Sequence, residues 1–198
     1  AYPRPTNGIL VAITVMNSTL LSSGRLAISS SASDTAFSGM RGSGFMLPSI
    51  ALCDPELTYG LPKGLTAATG MDAISHCLET YMAPAFNPPA EAIALHGLDC
   101  GFGAIERAVA DGKDIAARRD MMVCALEGAM AFQKGLGAVH AITHPMGAIR
   151  SLNLHHGTLN AVLMPAVLRF NRSVIGAKWD ALTAFFGQAP DAAVSELN

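Results

Sequence analysis

The chain has 198 residues, of which 51% are hydrophobic and 14% charged, and its formal net charge is −2. This much apolar material excludes general disorder and predicts a buried core. The nearly balanced charge, without long charge runs, excludes binding to nucleic acid or to an anionic membrane through electrostatic attraction. No apolar run approaches the roughly 20 residues that span a bilayer, and the first residues lack a signal-peptide pattern, so we expect a cytoplasmic protein.

The first part of the sequence predicts a small strand-and-loop segment. Residues 9–15 (ILVAITV) are apolar and partly β-branched, which is typical of a buried strand. Residues 17–44 are rich in Ser, Thr and Gly and predict a loop, or a hairpin around residues 26–28. A short strand-like run follows at residues 48–54 and ends at an Asp-Pro step. We therefore divide the chain into residues 1–44 and a domain over residues 45–198.

Helical patterns follow from Thr66 almost to the end of the chain. The first helix is predicted with Thr66 or Thr69 as its N-terminal cap, and Pro145 is expected to kink or end the fourth. The predicted helices cover residues 69–82, 89–109, 114–133, 138–148, 157–170 and 178–186. The fold class expected from this order is mainly α, a multi-helix bundle.

Histidines are concentrated in one stretch of the sequence. Four of the six lie between His140 and His156. The residues that flank them are strongly apolar, and such positions tend to be buried. A solvated polar patch is the alternative that fits the flanking residues less well. The six are His76, His96, His140, His144, His155 and His156.

Two pairs of these side chains have the spacing of one helix face. Asp72 and His76 are four residues apart, so both can reach one metal ion, although such a pair is also common as a simple hydrogen bond. His140 and His144 repeat that spacing. His155 and His156 are adjacent, so only one of them is expected to point towards a shared site.

The donor types indicate which metals such a site would take. One carboxylate with three imidazoles suits zinc, Fe(II) or nickel and disfavours magnesium and calcium, which prefer oxygen ligands. Glu79, three residues after His76, is either an acceptor for an imidazole N–H or an exposed acid. His96 lies in another helix and is interpreted as a helix-face or core residue.

Two long runs, residues 54–81 (DPELTYGLPKGLTAATGMDAISHCLETY) and 135–171 (GLGAVHAITHPMGAIRSLNLHHGTLNAVLMPAVLRFN), closely resemble the iron-containing alcohol dehydrogenases. The resemblance extends over residues 45–188 and implies the dehydroquinate synthase-like, iron-containing alcohol dehydrogenase fold. It implies that Fe²⁺ or Zn²⁺ is held by Asp72, His76, His140 and His156. It also implies that His144 lies near the reacting carbon, for substrate contact or proton relay.

The activity that the resemblance implies is metal-dependent, NAD(P)-linked oxidation of a small alcohol, or reduction of an aldehyde or ketone. The family's glycine-rich GGGS loop has no counterpart here, and residues 1–44 resemble a divergent remnant of the domain junction. Helices that full-length members carry after position 198 are missing as well. The chain thus resembles the helical metal-binding half of such an enzyme, and its exposed apolar surface predicts a homo-oligomer. A non-catalytic metal-binding fragment and a zinc glycerol dehydrogenase-like relative are the alternatives.

Overall fold

The structure is a computed structural model that describes residues 52–198. The strand predicted at residues 9–15 and the loop at 17–44 lie outside the described residues, and the division at residue 44 stays a prediction. Residues 52–54, the end of the run predicted as strand-like, have no regular secondary structure. Residues 55–198 form one compact unit.

The described unit consists of α-helices and short 3-10 turns, which confirms the predicted mainly α fold class. The turns are Pro55–Thr58, Phe132–Lys134 and Arg150–Leu152. The helices in chain order are α1 (Lys63–Met82), α2 (Pro88–Ala110), α3 (Ile115–Ala131), α4 (Ala138–Gly147), α5 (His156–Ile175), α6 (Ala177–Phe186) and α7 (Pro190–Glu196).

Helix α1 begins earlier than the sequence pattern predicted, so the proposed threonine cap was wrong. The residue before the helix is Pro62, with φ at −58°, and its side chain makes no capping hydrogen bond. The hydroxyl of Thr69 instead donates to the carbonyl of Leu65, one turn earlier in the same helix. A proline just before a helix sets the backbone for it without a polar cap.

The C-terminal part is more helical than predicted. Helix α5 continues to Ile175 rather than ending at residue 170, and it accommodates Pro165 in its interior. Helix α7 was not predicted, although Pro190 stands in its first turn, where proline is favoured. Short helices of this kind have too few turns for a clear apolar period, so packing rather than propensity decides them.

The centre of the unit is α1, which packs against α2, α3 and α5. Nearly every residue from Met71 to Met82 is buried, so this helix is enclosed on all sides instead of presenting one apolar face. Polar side chains on α1 are therefore drawn into the interior along with apolar ones. The largest fully buried apolar side chains of this core, on α1 and on the helices around it, are Ile74, Leu78, Leu98, Met164, Leu168 and Leu182.

Two lysines fix the C-terminal end of α1. The ammonium groups of Lys134 and Lys178 both donate to the carbonyl oxygens of Tyr81 and Ala83, which the helix itself leaves without partners. Both also pair with the carboxylate of Glu91. This arrangement anchors the helix that carries the first two predicted ligands.

Among residues 52–198, none of the helices combines the length and the apolar character needed to cross a membrane.

Candidate metal centre

Three helices bring the predicted site residues into one cluster. Asp72 and His76 come from α1, His140 and His144 from α4, and His156 is the first residue of α5. Asp72 and His140 are buried, with 5% and 0% of their surface exposed, and the other three are partly buried. The imidazole rings of His76 and His140 lie 4.3 Å apart between centroids, and those of His140 and His156 lie 5.4 Å apart.

The distances around one carboxylate oxygen fit a metal ion. Oδ1 of Asp72 is 3.8 Å from Nδ1 of His76, 3.5 Å from Nε2 of His140 and 3.4 Å from Nε2 of His156. Ligand atoms on a tetrahedral ion with bonds of about 2.1 Å lie about 3.4 Å from one another. The donor set, one oxygen and three nitrogens, suits zinc or ferrous iron.

His144 also lies beside two of the predicted ligands, His140 and His156. Potential ligand atoms of His140, His144 and His156 all lie within 4.8 Å of one another, and so do those of Asp72, His76 and His140. These distances therefore admit His144 as a ligand. Its assignment to the substrate side, near the reacting carbon, stays a prediction from the resemblance.

Glu79 fixes the orientation of the most buried imidazole. Its carboxylate accepts hydrogen bonds from the backbone N–H groups of Val139 and His140, at 2.7 and 3.2 Å, and contacts Nδ1 of His140 at 2.7 Å. A carboxylate only accepts, so Nδ1 of His140 donates its hydrogen to Glu79, and this bond turns Nε2 towards Asp72. Of the two roles considered for Glu79, the structure supports the acceptor, since the side chain is buried.

Burial and the surrounding charges set the protonation of the cluster. Burial alone would raise the pKa of Asp72. Hydrogen bonds with His140 and His156 outweigh burial and hold this pKa well below its usual range, so the carboxyl is charged. Burial lowers the pKa of His140, yet its bonds to Asp72 and Glu79 outweigh that effect and raise the pKa to about 9. Burial, and after it the electrostatic effect of the neighbouring His156 and His140 imidazoles, lower the pKa of His144 to about 4.

The raised pKa of His140 predicts how the stability of the metal-free protein changes with pH. Because the folded value is about 9 and the ordinary value 6.5, protonated His140 stabilises the fold fully below pH 6.5. That contribution, about 3 kcal/mol, is lost as the pH rises from 6.5 through 9. Urea unfolding in chelator across this range measures it. The same measurement on a His140→Gln variant serves as the reference, because subtracting the two curves removes the titration of other groups, such as Lys134. A difference in unfolding free energy between the two proteins that does not change with pH would contradict the assignment.

The remaining two histidines belong to neither group of clustered ligand atoms. His155 immediately precedes α5, and the choice of His156 as the ligand of the adjacent pair stays a prediction. His96 is on α2, and its Nδ1 lies 2.8 Å from the carboxylate of Glu127 on α3. This places His96 on a helix face, as the sequence suggested.

Asn160 belongs to the cluster and was not recognised from the sequence. It lies one turn after His156 on α5, is fully buried, and donates from Nδ2 to Oδ1 of Asp72 at 2.6 Å. The four-residue spacing from His156 was the available signal. An asparagine in an apolar helix has too many structural explanations for that spacing alone to single it out.

Residues 66–197 match the sequence family described as the Fe-containing alcohol dehydrogenase family, C-terminal. The chain therefore belongs to the iron-containing alcohol dehydrogenase family, and its described helices correspond to the helical C-terminal domain. This confirms the resemblance on which the ligand prediction depends and the fold class that it implied.

Individual relatives match the same part of the chain. Over 129 residues it is 66% identical to the 4-hydroxybutyrate dehydrogenase of Cupriavidus necator, and this alignment covers 64% of this chain and 34% of that protein. Over 132 residues it is 44% identical to alcohol dehydrogenase 4 of Saccharomyces cerevisiae, covering 66% and 34%. The crystal structure of a 1,3-propanediol oxidoreductase superimposes with a TM-score of 0.72 at 35% identity, covering 76% of this chain and 42% of that one. The chain thus spans about a third of the length of these curated relatives.

Proposed function

We propose that this chain provides the metal-binding part of an NAD(P)-linked alcohol dehydrogenase. Asp72, His76, His140 and His156 would hold one Fe²⁺ or Zn²⁺ ion. The observation that supports this most directly is the convergence of three imidazoles from three helices on Oδ1 of Asp72, at 3.4 to 3.8 Å. Family membership supports the reaction type.

A bound ion would act as a Lewis acid towards the oxygen of the alcohol or carbonyl substrate. The chain's own groups prepare the site for it. Asp72 is charged and reduces the net positive charge of the centre, while Glu79 holds the hydrogen of His140 on Nδ1 and leaves Nε2 to coordinate. These two carboxylates therefore set charge and orientation before any ligand arrives.

His144 is the proposed group for proton transfer to and from the substrate hydroxyl. Burial and the neighbouring imidazoles lower its pKa to about 4, so at neutral pH the ring is uncharged and able to accept a proton. Residues 52–198 contain no glycine-rich loop of the kind that binds a pyrophosphate. No residue of this part is therefore assigned to NAD(P).

For the substrate, we propose a small primary alcohol and choose 4-hydroxybutyrate as the first to test. The relative that is 66% identical carries that substrate in its name. The more distant matches are named for alcohols or for 1,3-propanediol. A diol and a simple alcohol are therefore the informative comparison substrates.

A chimaera tests this function directly. The 129 aligned residues of the Cupriavidus necator enzyme are replaced by those of this chain, and NAD⁺ reduction is followed with 4-hydroxybutyrate. We expect an active enzyme whose rate falls at least about 100-fold when His140→Ala is introduced. Glu127→Ala, which removes the partly exposed pair with His96, serves as the matched control. A folded, metal-loaded chimaera without activity would contradict the proposal.

We also propose that the protein self-associates. Helix α5 exposes Val162, Phe170 and Val174, with 66%, 80% and 77% of their surfaces accessible, at positions that fall on one side of the helix. Exposed apolar stripes of this kind favour association. Sedimentation velocity at increasing protein concentration would detect it.

A further inference from the structure

The side-chain amide of Asn160 lies among the predicted ligand atoms. Its Nδ2 is 2.6 Å from Oδ1 of Asp72, 3.1 Å from Nε2 of His156 and 3.4 Å from Nε2 of His140. Because a carboxylate oxygen only accepts hydrogen bonds, the end of the amide that faces Asp72 must be the nitrogen. Asn160 thus touches three of the four proposed ligands with one atom.

Packing alone does not account for an amide at this position. Asn160 is fully buried, and its Oδ1 has no hydrogen-bond partner in the part of the chain that the structure describes. A buried oxygen without a partner costs free energy that an apolar side chain of similar size would avoid. The compensating feature at Asn160 is the bond from its nitrogen to Asp72.

The two hydrogens of this amide connect α5 to α1. One is directed to the carboxylate of Asp72, and the other faces the imidazole nitrogens of His156 and His140. The bond to Asp72 fixes which oxygen of the carboxylate faces the histidines. Since Asn160 is four residues after His156 on α5, the same bond also sets the position of His156 relative to α1.

We propose that Asn160 is a positioning residue of the metal centre. Its amide orients the Asp72 carboxylate and holds it close to His156 before the ion binds. This inference rests on the proposed metal centre and deepens it. The bond to Asp72 would be retained when an ion is bound, because a carboxylate oxygen has a second lone pair. The imidazole nitrogens of His140 and His156 would then hold the ion in place of their contacts with the amide.

The test compares the 198-residue chain with Asn160→Ala and Asn160→Leu. Leucine keeps the branched shape of asparagine, fills the site and removes the unpaired oxygen, so it leaves no cavity of the kind that alanine creates. Zinc affinity is measured by competition with a chromophoric chelator, and Co²⁺ replaces zinc to give a visible spectrum that reports coordination geometry. The control is Thr80→Val, on α1. Thr80 is fully buried, and its hydroxyl has no partner within residues 52–198.

We expect both Asn160 variants to bind zinc about 10- to 100-fold more weakly and to change the Co²⁺ spectrum, with helix content retained in the leucine variant. Thr80→Val should leave affinity and spectrum unchanged. A leucine variant that binds zinc as tightly as the parent, with the same Co²⁺ spectrum, would overturn the role of Asn160 and leave the metal centre standing. A parent chain that binds neither metal would overturn both.

Discussion

Replacing Gly157 by alanine is expected to separate α5 from α1 and to abolish metal binding. A Cβ atom at this position would overlap the carbonyl oxygen of Ala68 and would lie 2.6 Å from its carbonyl carbon. Both atoms belong to the backbone of α1, so no side-chain rotation relieves the overlap. The helices must move apart, which displaces His156 from Asp72. Overpacking of this severity costs about 3 kcal/mol or more.

Urea unfolding in chelator and metal analysis of the purified variant measure the two effects of Gly157→Ala. Gly103→Ala is the matched control, because Gly103 is an exposed position of α2 with no heavy atom of the described residues within 4 Å of an added Cβ. There alanine should raise the free energy of unfolding by about 0.5–1 kcal/mol. If Gly157→Ala were as stable as Gly103→Ala and kept its metal, the close approach of α5 to α1 would not be needed for stability or for metal binding.

The second large effect is expected from Glu79→Ala. The substitution removes the acceptor of three buried donors, the backbone N–H groups of Val139 and His140 and the Nδ1 of His140. A buried donor without a partner costs about 1–3 kcal/mol, so we expect a total loss of about 3–5 kcal/mol. The freed imidazole also loses its fixed orientation. Zinc affinity should therefore fall by about 10- to 100-fold.

A second carboxylate–imidazole pair provides the control for Glu79. Glu127 and His96 lie 2.8 Å apart, but the side chain of His96 is 63% exposed. Removing an exposed pair changes stability by less than about 1 kcal/mol, so Glu127→Ala should unfold almost as the parent does. Equal unfolding free energies for the Glu79 and Glu127 variants, with equal zinc affinity, would show that the buried pair has no special role.

The sequence predicted the parts of the site that depend on local geometry. Asp72 and His76 are four residues apart on a helix, and that spacing alone places both side chains on one face. The meeting of α4 and α5 with α1 depends on contacts between helices, such as the one at Gly157. No periodic pattern contains that information. The ligand set over all three helices therefore came from the family resemblance.

Burial explains why Glu79 and Asn160 were harder to interpret. An acid on a helix is normally exposed, and only the enclosure of α1 on all sides turns Glu79 towards His140. Asn160 follows His156 by one turn, but its role depends on a carboxylate 88 residues earlier in the chain. The early start of α1 at Lys63 has a local cause, the preceding proline, that a search for polar caps does not detect.

The metal content of the purified chain tests the central claim most directly. The protein is prepared without chelator and analysed for bound elements beside His140→Ala and His156→Ala. The proposed centre predicts roughly one iron or zinc ion per chain in the parent and loss of that ion in both variants. A parent chain that holds no metal, even after reconstitution with Fe(II) or Zn(II), would contradict it.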